Sequence, residues 1–378
     1  MSPYRIPFNR PTQSERESEY LQQALSSGKL SGDGNFTARC HHILEQVVGV
    51  AKALLTTSCT HALEMAALLL EIKDGDEVIV PSFTFVSSIN AFVLRGARPV
   101  FADIRPDTMC IDEVNLERLI TPRTRAIVAV HYAGVSCEMD TISTLALNSG
   151  ASVIEDNAHG LFGRYSGRML GSLGRMATLS FHETKNLTCG EGGALLVNDA
   201  TLIDRAEIIR EKGTDRSKFF RGQVDKYGWV DIGSSYLPSE VLAALLCAQL
   251  EDRQRIQQRR EVIWVKYHEM LHKWAVDRGV TLPTVPLSCS QAYHMFYMVM
   301  PSASAREKLI AHLGAKGILA VWHYQPLHIS KVGKMYGGRL GDCPVAERVA
   351  EQLVRLPFYT TMTAAEQSIV IDAIYEFE

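Results

Sequence analysis

The residues of this sequence best suited to chemistry are a carboxylate and a lysine about thirty positions apart. Asp156 ends an apolar run, and Lys185 lies between Ser180 and the glycine-rich residues 190–193. A lysine amine can form a Schiff base with the aldehyde of pyridoxal phosphate, and a carboxylate can keep the pyridinium nitrogen of that cofactor protonated. The protonated ring then takes up the electrons released when a substrate C–H bond breaks. The pair predicts this chemistry, with Lys185 and Asp156 as catalytic residues.

Each of these residues has an ordinary interpretation when it is taken alone. A lysine is usually a solvated surface charge, and an aspartate after a strand is usually a turn residue. The glycines at 190–193 permit a tight turn after the lysine. They are not a dinucleotide fingerprint, because no Gly-x-Gly-x-x-Gly follows an opening strand. A nicotinamide-dependent oxidoreductase is therefore disfavoured.

The elements that would position these residues alternate between about residues 52 and 200. The apolar runs are continuous rather than alternating, which is typical of a sheet covered on both faces. Ligands of such sheets bind beyond the carboxyl ends of the strands, and Asp156 is expected at such an end. The predicted strands are residues 78–80, 99–102, 126–130, 152–154 and 194–197, and the predicted helices are residues 61–72, 86–94, 114–120 and 139–148.

A second, smaller unit is predicted from the C-terminal third of the sequence. A stretch without Pro or Gly runs from Glu240 to about Leu271 and predicts one long helix. Beyond the Pro-containing break at 281–286, the pattern predicts strand 294–299, helix 305–313, strand 318–323 and helix 345–352. We therefore expect a large α/β domain over residues 1–250, including an N-terminal arm, and a smaller α+β domain over residues 251–378.

Composition excludes several classes of function. Apolar residues at 46% and charged residues at 21% are ordinary for a globular protein, and a net charge of −3 gives no reason to expect nucleic acid as a partner. The charged run 251–261 has mixed signs and is better explained as a solvated helix face. The eight cysteines include no Cys-x-x-Cys pair, so no metal is expected. With no signal core and no bilayer-spanning apolar stretch, we expect a cytoplasmic protein without membrane association.

The sequence resembles the DegT/DnrJ/EryC1/StrS family of sugar aminotransferases, which are fold type I pyridoxal-phosphate enzymes. The resemblance implies an α/β fold with a mostly parallel seven-stranded sheet covered by helices, and a smaller C-terminal α+β domain. It runs over nearly the whole chain and is carried by residues 28–32, 58–62, 81–85, 130–134, 155–160, 180–193 and 356–359.

The resemblance also implies a set of residues that bind pyridoxal 5′-phosphate. Ser58 to His61 precede a helix whose N-terminus could hold the phosphate dianion, although an ordinary helix cap is equally compatible. In the family, the residues that match Thr60, His61 and Ser180 hold the phosphate, and the residue that matches Phe85 stacks on the pyridine ring. The residue that matches His159 lies near the ring hydroxyl, and the residue that matches Ser235 reaches the site from a neighbouring subunit.

The resemblance further implies L-glutamate as amino donor and a nucleotide-linked keto sugar as acceptor, in a homodimer with shared active sites. Candidate substrate contacts are His182, Arg221, Lys226, Tyr227, Tyr324 and His328. Two alternatives remain. Some relatives are dehydratases that carry His in place of the lysine, which Lys185 disfavours. A regulatory protein on the same fold would be favoured by an eroded cofactor set, yet Asp156, Ser180 and Lys185 are all present.

Overall fold

The computed structural model describes residues 4–377. Its strands in chain order are β1 (Lys52–Thr56), β2 (Glu77–Pro81), β3 (Arg98–Ala102), β4 (Thr124–Val130), β5 (Ser152–Asp156), β6 (Arg164–Tyr165), β7 (Arg168–Met169), β8 (Met176–Ser180), β9 (Gly193–Val197), β10 (Cys289–Ser290), β11 (Tyr297–Val299) and β12 (Leu353–Arg355).

The α-helices follow the same numbering. They are α1 (Glu17–Ser26), α2 (Asn35–Val48), α3 (Cys59–Leu69), α4 (Ser87–Val93), α5 (Glu113–Leu116), α6 (Met139–Ser149), α7 (Ile203–Arg210), α8 (Arg216–Phe220), α9 (Glu240–Glu251), α10 (Arg253–Asp277), α11 (Ala303–Ala315), α12 (Lys331–Met335), α13 (Pro344–Gln352) and α14 (Ala364–Tyr375).

Seven strands form the central sheet in the order β1-β9-β8-β5-β4-β2-β3. Six of them run in one direction, and β9 is antiparallel to both of its neighbours. The expected mostly parallel seven-stranded sheet is thereby confirmed. The strands β1 and β8 were not among the predicted ones, and both pair with β9 over five residues.

Helices cover both faces of this sheet, which explains the continuous apolar runs. Along β2, Val78 and Val80 pack in the cluster that contains α3 and α4, whereas Ile79 packs in the cluster that contains α6. All three side chains are fully buried. Since successive side chains of a strand point to opposite faces, a strand covered on both sides needs an apolar residue at every position.

The long helix expected from Glu240 is in fact two helices, with α9 ending at Glu251 and α10 beginning at Arg253. α10 presents residues three or four positions apart to a separate core formed with β11, α11 and α14. This spacing is that of one face of a helix. The buried residues of that face within this core are Ile263, Tyr267, Leu271 and Trp274, whereas Ile256 near the start of α10 packs in the core that contains α2 and α9.

The C-terminal part departs from the prediction in one further respect. Residues 318–323 form no strand, and only single bridges join Ile318 to Ile6 and Val321 to Arg355. Ile6 belongs to the C-terminal core, so the start of the described chain packs there rather than on the large sheet. The boundary near residue 250 remains a proposal. Among residues 4–377, no helix combines the length and apolar character needed to cross a bilayer.

Candidate active site

The carboxyl ends of four parallel strands bring the predicted site residues to one edge of the sheet. Asp156 ends β5, Ser180 ends β8, and the segments after β1 and β2 supply Thr60 and Phe85. These residues line a cavity of about 440 Å³, a size that suits a small ligand. The cavity is also lined by Phe8, Ser58, Cys59, Thr84, Ser87, Ser88, Ala158, His159, His182, Thr184, Lys185, His294, Tyr324 and Arg355.

Lys185 reaches this cavity from the turn that follows β8, where its backbone N–H donates to the carbonyl of His182 at 2.9 Å. Burial lowers the pKa of the Lys185 amine from 10.5 to about 8, although the nearby Cys59 and Asp156 side chains act in the opposite direction. Desolvation disfavours the ammonium form because a charge is less well solvated inside the protein. A neutral amine is the form that can attack an aldehyde.

This lowered pKa predicts how Lys185 of the cofactor-free protein reacts with an amine reagent. At pH 7.5 about a quarter of the Lys185 amines would be neutral, compared with about one in a thousand for an ordinary lysine. Labelling by trinitrobenzenesulfonate, followed by peptide mass spectrometry, should accelerate with pH up to about pH 8 and then level off. The model compound Nα-acetyl-lysine amide, whose amine has an ordinary pKa of about 10.4, is the control, and its labelling should keep rising beyond pH 9. A Lys185 profile that follows this model compound would contradict the assigned environment.

Asp156 is held by hydrogen bonds to both of its carboxylate oxygens. The Ser88 hydroxyl donates to Oδ2 at 2.6 Å, and the backbone N–H of Ala158 donates to Oδ1 at 3.2 Å. Ser88 in turn lies 2.8 Å from the Thr84 hydroxyl. These contacts fix the orientation of a carboxylate that is 6% exposed. The sequence did not identify Ser88, because a serine within an apolar helix carries no signal of its partner.

The N-terminus of α3 provides donors for an anion at the same edge. Ser58 caps the helix by accepting from the backbone N–H of His61 at 3.1 Å, and the hydroxyls of Thr60 and Ser87 lie 2.8 Å apart. An α-helix of this length favours negative charge at its N-terminus. Gly193 permits the close packing here, since an added Cβ would lie 2.4 Å from the backbone nitrogen of Cys59.

His159 lies beside this site in a stacked pair. Its ring is 4.2 Å from that of His294, which contacts Asn186 at 2.9 Å through Nδ1. Burial, followed by the charges of Lys185 and Arg355, lowers the pKa of His159 well below 6.5, so the ring is neutral. Within the described residues, its Nδ1 is buried without a hydrogen-bond partner. A buried polar atom without a partner is costly, and it marks a place where a ligand group fits.

Phe85, Tyr324 and His182 also line the cavity. The Phe85 ring is 57% exposed and lies 6.3 Å from the ring of Tyr324. An exposed aromatic at a cavity can gain contact area when a planar ligand stacks on it. His182 contacts the Thr184 hydroxyl at 3.0 Å. The structure therefore brings these three predicted residues to the Lys185 site.

Two of the predicted histidines are engaged elsewhere in the chain. The His61 ring contacts Thr57 through Nδ1 and meets the ring of Tyr236 edge-on at 5.2 Å. His328 is fully buried, and its two ring nitrogens contact Ser82 at 2.6 Å and Glu347 at 2.8 Å. Both nitrogens of His328 thus have partners within the chain, and a contact of this side chain with substrate stays a prediction. The backbone N–H of His61 already serves the Ser58 cap.

The remaining predicted residues lie on the surface of their own chain, away from the Lys185 cavity. Arg221 pairs with Glu207 at 2.7 Å, and Lys226 and Tyr227 are exposed. Ser235 lines a separate surface groove. A single chain therefore does not bring these four residues to the site.

The groups at the carboxyl edge fit pyridoxal phosphate. An amine with a lowered pKa, a fixed carboxylate, hydroxyls at a helix N-terminus and an unpartnered imidazole nitrogen match its aldehyde, pyridinium, phosphate and ring hydroxyl. The mostly parallel sheet and this set of groups define a fold type I pyridoxal-phosphate enzyme.

Residues 11–375 match the DegT/DnrJ/EryC1/StrS aminotransferase family, and the chain belongs to this family. It is 33% identical to the spore coat polysaccharide biosynthesis protein SpsC of Bacillus subtilis, with 98% of this chain and 96% of SpsC covered.

Solved structures give the same result. Spr1654 from Streptococcus pneumoniae in its PLP form has a TM-score of 0.90 and 26% identity, with 98% of each chain covered. Helicobacter pylori PseC, an aminotransferase involved in the biosynthesis of pseudoaminic acid, has a TM-score of 0.87 and 25% identity, also with 98% of each chain covered. The protein is thus a sugar aminotransferase by family, and its cofactor is pyridoxal 5′-phosphate.

Proposed function

We propose that this protein transfers the amino group of L-glutamate to the 4-keto carbon of dTDP-4-keto-6-deoxy-D-glucose, giving dTDP-4-amino-4,6-dideoxy-D-galactose. The observation that carries the aminotransferase function is the meeting of Lys185 and Asp156 in one cavity. A lysine at this position disfavours the dehydratase alternative. The complete cofactor set disfavours a purely regulatory role.

Sequence segments support the choice of sugar. These segments are similar in sequence to the dTDP-4-amino-4,6-dideoxygalactose transaminase of enterobacterial common antigen synthesis. Most lie in loops outside the core motif around Lys185, where substrate selectivity usually resides. The segments are residues 95–96, 105–109, 131–134, 219–227 and 231–236.

The residues of the site then have distinct roles. Bound pyridoxal phosphate supplies a protonated ring that takes up the electron pair of a broken C–H bond. Asp156, oriented by Ser88, holds the proton on the ring nitrogen. The Nζ of Lys185 takes the proton from Cα of the donor, and later delivers a proton to C4 of the sugar. Phe85 fixes the plane of the ring by stacking, and the hydroxyls of Thr60 and Ser87 hold the phosphate.

The choice of substrate is tested by incubating the purified holoenzyme with L-glutamate and a panel of dTDP- and UDP-linked keto sugars. We expect the highest kcat/KM with dTDP-4-keto-6-deoxy-D-glucose and a product with the amino group axial at C4, as in the galacto configuration, by mass spectrometry and NMR. A preference for another keto sugar would keep the aminotransferase function and refute this substrate. An equatorial amino group would refute the product.

We propose further that the protein is a homodimer in which each site takes residues from both chains. The segment 219–235 supports this, because it exposes several large apolar side chains that a partner could cover. Trp229 is 83% exposed, and Phe220, Val230 and Ile232 are also exposed. In such a dimer, Ser235 with Lys226 or Tyr227 would serve the site that contains the partner's Lys185.

Shared sites predict complementation between two inactive variants. Ser235→Asp should disable the site by placing a negative charge near the phosphate, and Lys185→Ala removes the amine. When the two variants exchange subunits, a mixed dimer has one site with both defects and one with neither. Equal mixing should restore about a quarter of the wild-type activity.

The matched control for this mixing experiment uses Lys185→Ala alone, taken through the same exchange procedure, and it should stay inactive. Subunit exchange is verified by native mass spectrometry on chains of different mass. If mixed dimers form and activity stays absent, each site is built within a single chain and the shared-site proposal is wrong.

A further inference from the structure

Arg355 is a cation that projects into the Lys185 cavity without an acidic partner. It ends β12, immediately before residues 356–359, and it lines the cavity. Its guanidinium lies 4.6 Å from the ring centroid of Phe8. Within residues 4–377, no carboxylate lies at ion-pair distance from Arg355, and its Nε is buried without a hydrogen-bond partner. Arg355 is half-buried, and a charge withdrawn from water normally requires pairing, so the described residues leave this arginine without a counterion.

Other polar atoms beside Arg355 are also without partners in the described chain. They are the Tyr132 hydroxyl, both ring nitrogens of His323 and Nδ1 of His159. Burial, followed by the charges of Arg355 and Lys185, lowers the pKa of His323 well below 6.5. Tyr132, His159 and His323 each interact electrostatically with Arg355, and burial raises the pKa of the Tyr132 hydroxyl and lowers the pKa of both histidines, which keeps all three side chains neutral. Such a group of unpartnered polar atoms suits an anionic ligand that accepts hydrogen bonds.

A fully buried arginine, Arg260, shows by contrast what is unusual about Arg355. Arg260 is 2% exposed and also lacks a carboxylate, yet its guanidinium donates to the carbonyls of Tyr293 at 2.9 Å and His294 at 2.6 Å. It stacks on Phe358 at 4.7 Å. The donors of Arg260 are thus used within the protein. Its positive charge adds to that of Arg355, which makes this end of the cavity attractive to an anion.

We infer that Arg355 binds the carboxylate on Cα of the amino donor. This inference rests on the proposed aminotransferase function. The donor's Cα must lie next to the Lys185 amine for proton transfer, and its carboxylate is attached directly to that carbon. Arg355 is close enough to Lys185 to contribute to its lowered pKa. The diphosphate of the sugar substrate, by contrast, is attached across the sugar ring from the reacting C4, so it is held farther from Lys185.

The inference is tested on the two half-reactions separately, with wild type, Arg355→Gln and Arg355→Lys. For Arg355→Gln, the KM for L-glutamate in the first half-reaction should rise by about 10- to 100-fold, since a charge-assisted bidentate interaction is lost. The KM of Arg355→Lys for L-glutamate should lie between those of wild type and Arg355→Gln, because lysine keeps the charge but lacks the planar guanidinium. The rate at which the pyridoxamine-phosphate form reacts with keto sugar should change by about threefold or less.

Direct binding gives a readout that does not depend on turnover. Calorimetric titration of the pyridoxamine-phosphate form with 2-oxoglutarate, which carries the same carboxylate, should show a similarly weakened Kd in Arg355→Gln. Arg10→Gln is the matched control, because Arg10 also stacks on an aromatic ring, 4.8 Å from the centroid of Tyr359, but pairs with Glu366 outside the cavity. Arg10→Gln should leave the KM for L-glutamate and the Kd for 2-oxoglutarate unchanged.

The possible outcomes separate this inference from the proposed function. An unchanged Kd and KM for the carboxylate ligands in a folded Arg355→Gln variant would overturn the inference, as would a defect confined to the sugar half-reaction. Failure of the proposed function looks different, since wild type itself would then transfer no amino group from L-glutamate. Thermal unfolding of each variant verifies the fold, and Arg355→Lys remains informative if Arg355→Gln does not fold.

Discussion

Lys185→Ala should abolish amino transfer while leaving the fold intact. The change removes both the covalent anchor for the cofactor and the group that carries the proton, so turnover should fall by at least about 10⁴-fold. The visible absorption band of lysine-bound cofactor should disappear as well. Within residues 4–377, the Lys185 amine makes no hydrogen bond or ion pair that stabilises the protein, so the melting temperature of the apoprotein should change little.

Lys73→Ala provides the matched control for this prediction. Lys73 is exposed in the loop before β2, at the edge of the sheet opposite the carboxyl ends that carry the cavity, and its truncation should leave turnover and absorption at wild-type values. Substantial turnover by Lys185→Ala, with the fold verified by thermal unfolding, would show that another residue carries the proton. The assignment of Lys185 would then fail.

Asp156→Asn should bind cofactor but lose most of its rate. An amide cannot keep the proton on the ring nitrogen, so the electron sink weakens. The loss should be about 10²- to 10³-fold, the typical effect of removing one electrostatic partner in an active site. The amide is nearly isosteric and can still accept from the backbone N–H of Ala158, so the geometry should be retained. Single-turnover kinetics with L-glutamate measure the effect.

A second variant separates charge from orientation. Ser88→Ala removes the hydrogen bond to Asp156 Oδ2 but keeps the carboxylate, so it should lose less rate than Asp156→Asn. If the two variants behave alike, the hydrogen bond rather than the charge would be the essential feature. Unchanged rates in Asp156→Asn would mean that a different residue pairs with the ring nitrogen.

The sequence allowed the reacting groups to be predicted because their chemistry is specific. Lys185 and Asp156 have side chains that pyridoxal-phosphate enzymes require, and they follow strands whose carboxyl ends share one edge. Ser88 and Arg355 could not be predicted in this way. The role of Ser88 depends on a hydrogen bond across 68 residues, and that of Arg355 depends on the absence of a counterion. Both features exist only in the folded chain.

The fold was predictable where the local pattern and the tertiary structure agree. The consecutive apolar residues Val78, Ile79 and Val80 of β2 identified a strand covered on both faces. The strand β8 has the same length but contains Thr178 and Ser180, so its local signal is weaker and its pairing with β9 determines it. The break at Asp252 lies in a stretch without Pro or Gly, so the sequence predicted one helix across it.

Following the nitrogen atom shows whether the protein transfers the amino group of L-glutamate to the sugar. The holoenzyme is incubated with ¹⁵N-labelled L-glutamate and dTDP-4-keto-6-deoxy-D-glucose, and the sugar nucleotide is analysed by mass spectrometry and NMR. We predict ¹⁵N bonded to C4 of the sugar, an equal amount of 2-oxoglutarate, and neither product with Lys185→Ala. A sugar nucleotide without ¹⁵N would contradict the proposed amino transfer, and labelled product from the Lys185→Ala variant would contradict the role of Lys185.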